Sequence, residues 1–181
     1  MIAAKSKVLA MDPDGKDDRR CLPTSATCFV CGEDNDAGVQ TRFYVEDGQV
    51  KTELDPKAEH CGYRNVVHGG VVAAVLDECM SWAATYAIGR LCYTADLKLR
   101  YLKPVPGDQP IRVAAEVVRA NKRLVHATGA VTDASGAVCV RGEGRFVPLS
   151  AEETLEVDDY LIYRGGEVRL FDALRQENQP R

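Results

Sequence analysis

The sequence lacks several features that would place it in a specialised class of protein. No run of apolar residues reaches the about eighteen needed to cross a bilayer, and residues 1–20 lack the apolar stretch of a secretory signal. Basic residues are not in excess, since 23 Lys and Arg stand against 27 Asp and Glu for a net charge of −4. That balance argues against non-specific nucleic-acid binding. These absences predict a cytoplasmic protein that needs neither a membrane nor a nucleic acid as partner.

The cysteines do not form a pattern typical of a disulfide framework. Seven is an odd number, and without a secretory signal free thiols are expected. Cys28 and Cys31 have the C-x-x-C spacing of half a zinc site. His60 and Cys61 could supply the other two ligands, but they are adjacent in the sequence, and no second correctly spaced pair exists. No predicted helix follows Cys31, which argues against a redox role. We therefore interpret these cysteines as small buried residues, and we predict no metal and no cofactor.

The length of 181 residues and a hydrophobic content of 45% predict one globular domain with tails. Residues 1–20 are charged and contain a Pro-Asp-Gly turn signal, so we expect a flexible N-terminal arm. Residues 21–150 are expected to form the domain. Residues 151–181 are a charged C-terminal extension with two weak apolar runs, to which the sequence assigns no role.

The pattern of apolar residues predicts a hairpin, a long helix and then four strands. Asp47-Gly48 separates two alternating segments, which is a strong hairpin signal. Residues 70–89 are rich in Ala and Leu, contain no Pro and end at Gly89, as a helix does. The predicted strands are 41–46, 49–54, 91–105, 110–121, 123–133 and 137–149.

A helix that is apolar on nearly every face has to be buried on most of them. Few other helices are predicted, so only the sheet can cover it. The sequence therefore predicts an α+β fold in which a curved antiparallel sheet wraps around one long central helix, the hot-dog architecture.

The chemistry-bearing residues begin at the start of this helix. His68-Gly69-Gly70 would leave backbone N–H groups open to a ligand, and the helix dipole there favours negative charge. Such an N–H could polarise a carbonyl, as an oxyanion hole does. The alternative interpretation is a tight turn from loop to helix.

Asp77 lies in the middle of the helix among apolar neighbours. A desolvated carboxylate has a raised pKa and can act as a general base or a nucleophile. The alternative is that Asp77 borders a polar stripe formed by Glu78, Ser81 and Thr85.

Helix geometry constrains how Gly69 and Asp77 could act together. They are eight residues apart, which at about 1.5 Å of rise per residue is roughly 12 Å along the axis. One helix cannot bring both to one carbonyl, whereas two antiparallel copies about a two-fold axis can. If the pair is catalytic, we expect a homodimer with two composite sites, or a homotetramer made of two such dimers.

Residues 62–78, GYRNVVHGGVVAAVLDE, resemble the signature of the hot-dog-fold thioesterase superfamily. The resemblance is to the branch that includes phenylacetyl-CoA thioesterases and mammalian mitochondrial acyl-CoA thioesterases. Segments 94–108 and 28–43 are also similar to segments of that family, so the likeness covers about residues 28–148.

The resemblance implies roles for individual residues. Asp77 would be the general base or nucleophile, and Gly70 or Gly69 would give the oxyanion N–H. His68 would shape the loop or touch the thioester oxygen, and Thr94 would help to position the attacking water.

Asn65 is a more ambiguous candidate. Some relatives have an Asn six residues before the His, where this chain has Gly62. Asn65 could take the role of that Asn, but an Asn65 that holds the turn is the simpler interpretation.

Candidate substrate-binding residues are of two kinds. A basic rim would suit the phosphates of CoA, with solvated strand ends as the alternative; its members would be Arg100, Lys103, Arg119, Lys122 and Arg123. Trp82 could line an acyl pocket, although core packing is the default for an apolar residue on this helix.

Together these features predict an acyl-CoA thioesterase that acts on a small or medium acyl chain. A catalytically silent hot-dog domain, which binds acyl-CoA as a sensor or stabilises a partner, is the alternative. Asp77 and Thr94 argue against it, because a binding domain needs neither. A hot-dog dehydratase would use a different arrangement of His and Asp.

Overall fold

The computed structural model describes residues 19–178, which form eleven strands, three α-helices and one short 3-10 helix (Ala58–His60). The strands are β1 (Arg20–Cys21), β2 (Thr24–Ser25), β3 (Tyr44–Glu46), β4 (Gln49–Leu54), β5 (Cys61–Tyr63), β6 (Val66–Val67), β7 (Cys92–Tyr101), β8 (Ile111–Ala120), β9 (Val125–Thr132), β10 (Val138–Pro148) and β11 (Leu161–Ile162). The helices are α1 (Gly69–Ile88), α2 (Ala151–Asp158) and α3 (Asp172–Glu177).

Seven strands form one antiparallel sheet in the order β1-β3-β4-β8-β9-β10-β7. The predicted hairpin is β3–β4, and Asp47 and Gly48 both have positive φ angles, of 52° and 75°, in its turn. The four strands predicted after the helix are β7 to β10. The first of them, β7, pairs only with β10 and is therefore the edge of the sheet.

The helix α1 is enclosed by the sheet, as the apolar sequence predicts. It contacts β4, β7, β8, β9 and β10. It begins after His68 and ends at Gly89, whose φ of 65° is left-handed. Among the described residues, this helix is long and apolar enough to cross a membrane. The sequence did not predict this, because polar residues interrupt the apolar run within the helix. Its packing within the sheet is that of a core helix.

Two glycines in the sheet allow α1 to approach closely. A Cβ added at Gly142 would lie 2.8 Å from Cδ2 of Leu76, and one at Gly129 would lie 2.9 Å from Cδ1 of the same residue. Leu76 is fully buried, so it has no free space into which to move. The neighbouring carboxylates on α1 therefore depend on glycine at these two strand positions.

The C-terminal extension packs against the first part of the described chain. Its strand β11 pairs with β2, and the Val168 N–H donates to the Cys21 carbonyl oxygen at 2.9 Å. Within the extension, Arg175 forms an ion pair with the buried Asp158 at 2.6 Å. Residues 151–178 thus cover segment 20–43, a role that the sequence did not reveal. Of the predicted arm, residues 1–18 lie outside the described residues, and Arg20 already belongs to β1.

Candidate active site

Asp77 faces the edge strand β7. The Thr94 hydroxyl donates to both carboxylate oxygens of Asp77, at 3.0 Å to Oδ1 and 3.2 Å to Oδ2. Burial raises the pKa of Asp77, and the hydrogen bond from Thr94 acts in the opposite direction. The structure therefore brings together two residues that the sequence places 17 positions apart. The pair consists of a half-buried carboxylate and a hydroxyl that fixes its orientation.

The N-terminus of α1 is capped by a side-chain hydrogen bond that the sequence did not predict. Nδ1 of His68 accepts from the Gly70 N–H at 3.0 Å, so His68 caps the helix. A Cβ added at Gly70 would lie 3.1 Å from the same nitrogen. The Gly70 N–H, expected to be open to a ligand, is thus occupied. It can reach an oxyanion only if the His68 ring turns away.

Strand β7 runs from Asp77 to the start of α1. Thr94, near the beginning of β7, contacts Asp77, whereas Tyr101, at its end, donates to the Gly69 carbonyl oxygen at 2.6 Å. The two ends of the predicted site are therefore linked by one strand. They remain separated along the helix by roughly 12 Å.

Asn65 occupies the turn between β5 and β6. Its φ angle is 57°, a left-handed conformation that Asn tolerates better than most residues, and its carbonyl oxygen accepts from the Gly107 N–H at 2.9 Å. These contacts favour the interpretation of Asn65 as a turn residue. At Gly62 an added Cβ would lie 3.0 Å from Cδ2 of His68, so an Asn there would require the ring to move.

The predicted basic rim is not one surface within a protomer. Arg119, Lys122 and Arg123 lie at the β8–β9 hairpin, whereas Lys103 pairs with Asp133 at 2.6 Å, at the other end of β9.

Arg100 is separated from the hairpin because β7 pairs with β10 rather than with β8. It lies opposite Arg141, and Arg119 lies opposite His126, three strands away and displaced along the sheet. The five residues are thus apart within one protomer, because β7 and β8 are consecutive in the sequence but are not neighbours in the sheet.

A cavity of about 240 Å³ opens beside Asp77. It is small for a ligand pocket, which commonly measures roughly 300–1,000 Å³. The buried Trp82 is part of its wall, in keeping with the predicted acyl pocket as well as with core packing. The α1 side of the cavity is formed by Asp77, Glu78, Ser81, Trp82 and Thr85, and the opposite side includes Ser25, Cys28 and Cys31.

Glu78 meets the two cysteines of the C-x-x-C segment in this cavity. The Cys28 thiol donates to Oε2 of Glu78 at 3.0 Å. Burial raises the pKa of Glu78 to about 8, and the hydrogen bond between the thiols lowers the pKa of Cys28 and raises that of Cys31. The spacing of the two cysteines is visible in the sequence, but the sequence does not indicate that Glu78 lies beside them.

The other half of the zinc site considered from the sequence lies elsewhere. Nδ1 of His60 accepts from the Lys57 N–H at 3.2 Å, and Cys61 begins strand β5. Neither belongs to the group formed by Cys28, Cys31 and Glu78.

Comparison with known proteins relates part of this chain to a known family. Residues 64–140 match the family model of the thioesterase superfamily. One curated relative is an Archaeoglobus fulgidus protein whose name describes it as an esterase by assignment. It is 28% identical over 83 residues, which are 45% of this chain and 53% of the relative. The chain thus spans about half the length of that relative.

Solved structures agree in fold. A crystal structure of a thioesterase superfamily protein has 30% identity and a TM-score of 0.62, with 66% of this chain and 62% of that chain covered. A Bacillus halodurans protein solved with CoA has 28% identity and a TM-score of 0.51, over 54% of this chain and 70% of its own. Residues 64–140 therefore match the thioesterase superfamily, and the sheet around α1 has the hot-dog fold of these structures.

Proposed function

We propose that this protein hydrolyses the thioester of a small or medium acyl-CoA. The observation that carries the proposal is the bifurcated hydrogen bond from Thr94 to the two carboxylate oxygens of Asp77, which lines a cavity. A carboxylate whose pKa is raised by burial holds a proton better than an exposed one, which suits a general base. The CoA bound to the related Bacillus halodurans protein supports CoA as the carrier of the acyl group.

In the proposed reaction Asp77 accepts a proton from a water molecule as the water oxygen attacks the thioester carbonyl carbon. Thr94 holds the carboxylate in the orientation that this transfer needs. The tetrahedral intermediate carries its negative charge on the former carbonyl oxygen, where a helix N-terminus can stabilise it. The intermediate then collapses, the carbon–sulfur bond breaks, and the CoA thiolate takes up the proton.

The helix N-terminus that serves Asp77 would come from a second copy of the chain. Strand β7 has ten residues and a free edge, and long free edges readily pair with another strand. Tyr93, Tyr101 and Leu102 are large exposed side chains along it, with 64%, 49% and 48% of their surface exposed. These features favour a homodimer joined through β7.

The register of such a pairing would complete the site. An antiparallel pairing of two β7 strands centred between Leu97 and Lys98 would place Thr94 opposite Tyr101 of the second copy. Because Tyr101 contacts Gly69, the start of one α1 would then lie beside the Asp77 of the other copy. His68 would have to release the Gly70 N–H when the thioester enters.

Thiol release from a panel of acyl-CoAs tests the proposal, with wild type compared with Asp77→Asn. Asp36→Asn is the matched control, because Asp36 is exposed in a loop of segment 20–43. Activity in the wild type and the control but not in Asp77→Asn supports the assignment. Tight binding of acyl-CoA without thiol release would instead identify a non-catalytic binding domain. An active monomer, measured by light scattering at assay concentration, would contradict the composite site.

A further inference from the structure

A second group of reactive side chains lines the same cavity as Asp77. The two Sγ atoms of Cys28 and Cys31 and a carboxylate oxygen of Glu78 all lie within 4.8 Å of one another. We propose that Cys28, Cys31 and Glu78 bind one thiophilic divalent metal ion, with Zn²⁺ as the best match. The proposal goes beyond thioester hydrolysis, which requires no metal in the mechanism above.

The spacing of the three groups suits a tetrahedral metal ion. Zinc binds cysteine sulfur at about 2.3 Å and carboxylate oxygen at about 2.0–2.2 Å. Two ligands of a tetrahedral ion with these bond lengths lie roughly 3.5 Å apart. The Cys28 sulfur is 3.0 Å from Oε2 of Glu78, so a small rotation of either side chain would admit the ion.

The loop that carries the cysteines is folded so that their sulfurs converge. The Gly32 N–H donates to the Cys28 carbonyl oxygen at 3.0 Å, and the Val30 N–H donates to the Cys28 sulfur at 3.3 Å. A Cβ at Gly32 would lie 2.3 Å from that carbonyl oxygen, so the turn requires glycine. An N–H directed at sulfur stabilises a thiolate, which is the form that binds metal.

The charge of the group also favours a cation. Two thiolates and a carboxylate would bring three negative charges together, which a divalent cation would offset. Trp82 lies one turn further along α1, and its indole N–H lowers the pKa of the Glu78 carboxyl. A hydrogen bond to a ligating carboxylate is a usual way to hold it in position.

The fourth position of the ion would face the cavity. Ser25 and Ser81 line that cavity, and a water molecule would complete the tetrahedron there. Bound metal would fasten segment 20–43 to the middle of α1, which is the only element that contributes an acidic ligand to the group. We assign the ion this linking role.

The test is titration of the reduced, metal-free full-length protein with Co²⁺ under anaerobic conditions. We expect one equivalent per chain, with a thiolate-to-cobalt absorption band and the visible bands of a tetrahedral ion, and displacement by one equivalent of Zn²⁺. Cys28→Ser, Cys31→Ser and Glu78→Gln should each weaken binding by at least about tenfold. Circular dichroism of each metal-free variant checks that it is folded.

Cys61→Ser and Cys92→Ser are the matched controls, because these half-exposed thiols lie outside the group. Both should bind Co²⁺ as the wild type does. Absence of the thiolate band in the wild type would overturn the proposal, and so would an equal loss in the controls. Unchanged affinity in Glu78→Gln would overturn the three-ligand assignment. Because binding is measured without substrate, its failure is distinct from failure of the thioesterase assignment.

Discussion

Asp77 and Glu78 are consecutive carboxylates on one helix, yet their surroundings differ in almost every respect. Asp77 faces the free edge strand, and its two carboxylate oxygens share one bifurcated hydrogen bond from a hydroxyl. Glu78 faces segment 20–43 and meets two thiols and an indole. Burial raises the pKa of both carboxyl groups, that of Glu78 to about 8.

The difference follows from the helix itself. Successive residues are turned by about 100°, so one helix can direct adjacent side chains into two environments. What each carboxylate can do is then decided by its neighbours. A hydroxyl beside an open edge suits proton transfer with water, whereas two thiols suit a metal ion.

The largest expected effect is the loss of thioesterase activity in Asp77→Asn. Asparagine keeps the size of the side chain and can still pair with Thr94, but it cannot accept a proton. General base catalysis contributes roughly 10²–10⁴-fold, so we expect kcat/KM for the best acyl-CoA to fall by that factor. Asp36→Asn should keep wild-type kcat/KM. If Asp77→Asn kept more than a tenth of the activity, Asp77 would not be the base.

The second effect distinguishes Glu78 from Asp77 through stability. A ligand that binds only the folded state stabilises it by about 2.7 kcal/mol when present at 100 times its Kd. We expect Zn²⁺ at that ratio to raise the free energy of unfolding of the reduced protein by about this amount. Urea titrations with Zn²⁺ or with a chelator measure it. Cys28→Ser, with binding at least about tenfold weaker, should show at most about half of this increase at the same Zn²⁺ concentration, and an equal increase there would locate the ion elsewhere.

The sequence predicted the surroundings of Asp77 better than those of Glu78. The α1 boundaries, the β3–β4 hairpin and β7 to β10 were predictable because apolar periodicity and turn residues are local signals. The Asp77 side was predictable because its residues lie in one continuous motif and the strand that follows. Even there the cap that His68 places on Gly70 was missed, since helix capping by a side chain depends on its rotamer.

The Glu78 side was not predictable, because it is assembled by contacts between distant parts of the chain. Cys28 and Glu78 are 50 residues apart, and nothing near either one indicates the other. The C-terminal extension was missed for a related reason. Its two-residue strand β11 exists only by pairing with β2, so its own sequence carries almost no strand signal.

The third effect would displace both carboxylates together. In Gly142→Ala the new Cβ would lie 2.8 Å from Cδ2 of Leu76, which is fully buried, and 2.9 Å from Cδ2 of Leu99. Such overpacking costs about 1–3 kcal/mol, which urea unfolding would measure. Leu76→Ala in the same chain should recover part of the loss. Wild-type stability in the single variant would show that α1 can shift freely.

The smallest effect isolates the hydroxyl that sets Asp77 apart from Glu78. Thr94→Val keeps the shape of the side chain on β7 but removes the bifurcated hydrogen bond to the carboxylate. Asp77 would remain the base with a less defined orientation, so we expect kcat to fall about tenfold with KM little changed. Thr94→Ser, which restores the hydroxyl, should recover most of the activity. Equal losses in Val and Ser would mean that the methyl group matters, and that the hydrogen bond does not orient the base.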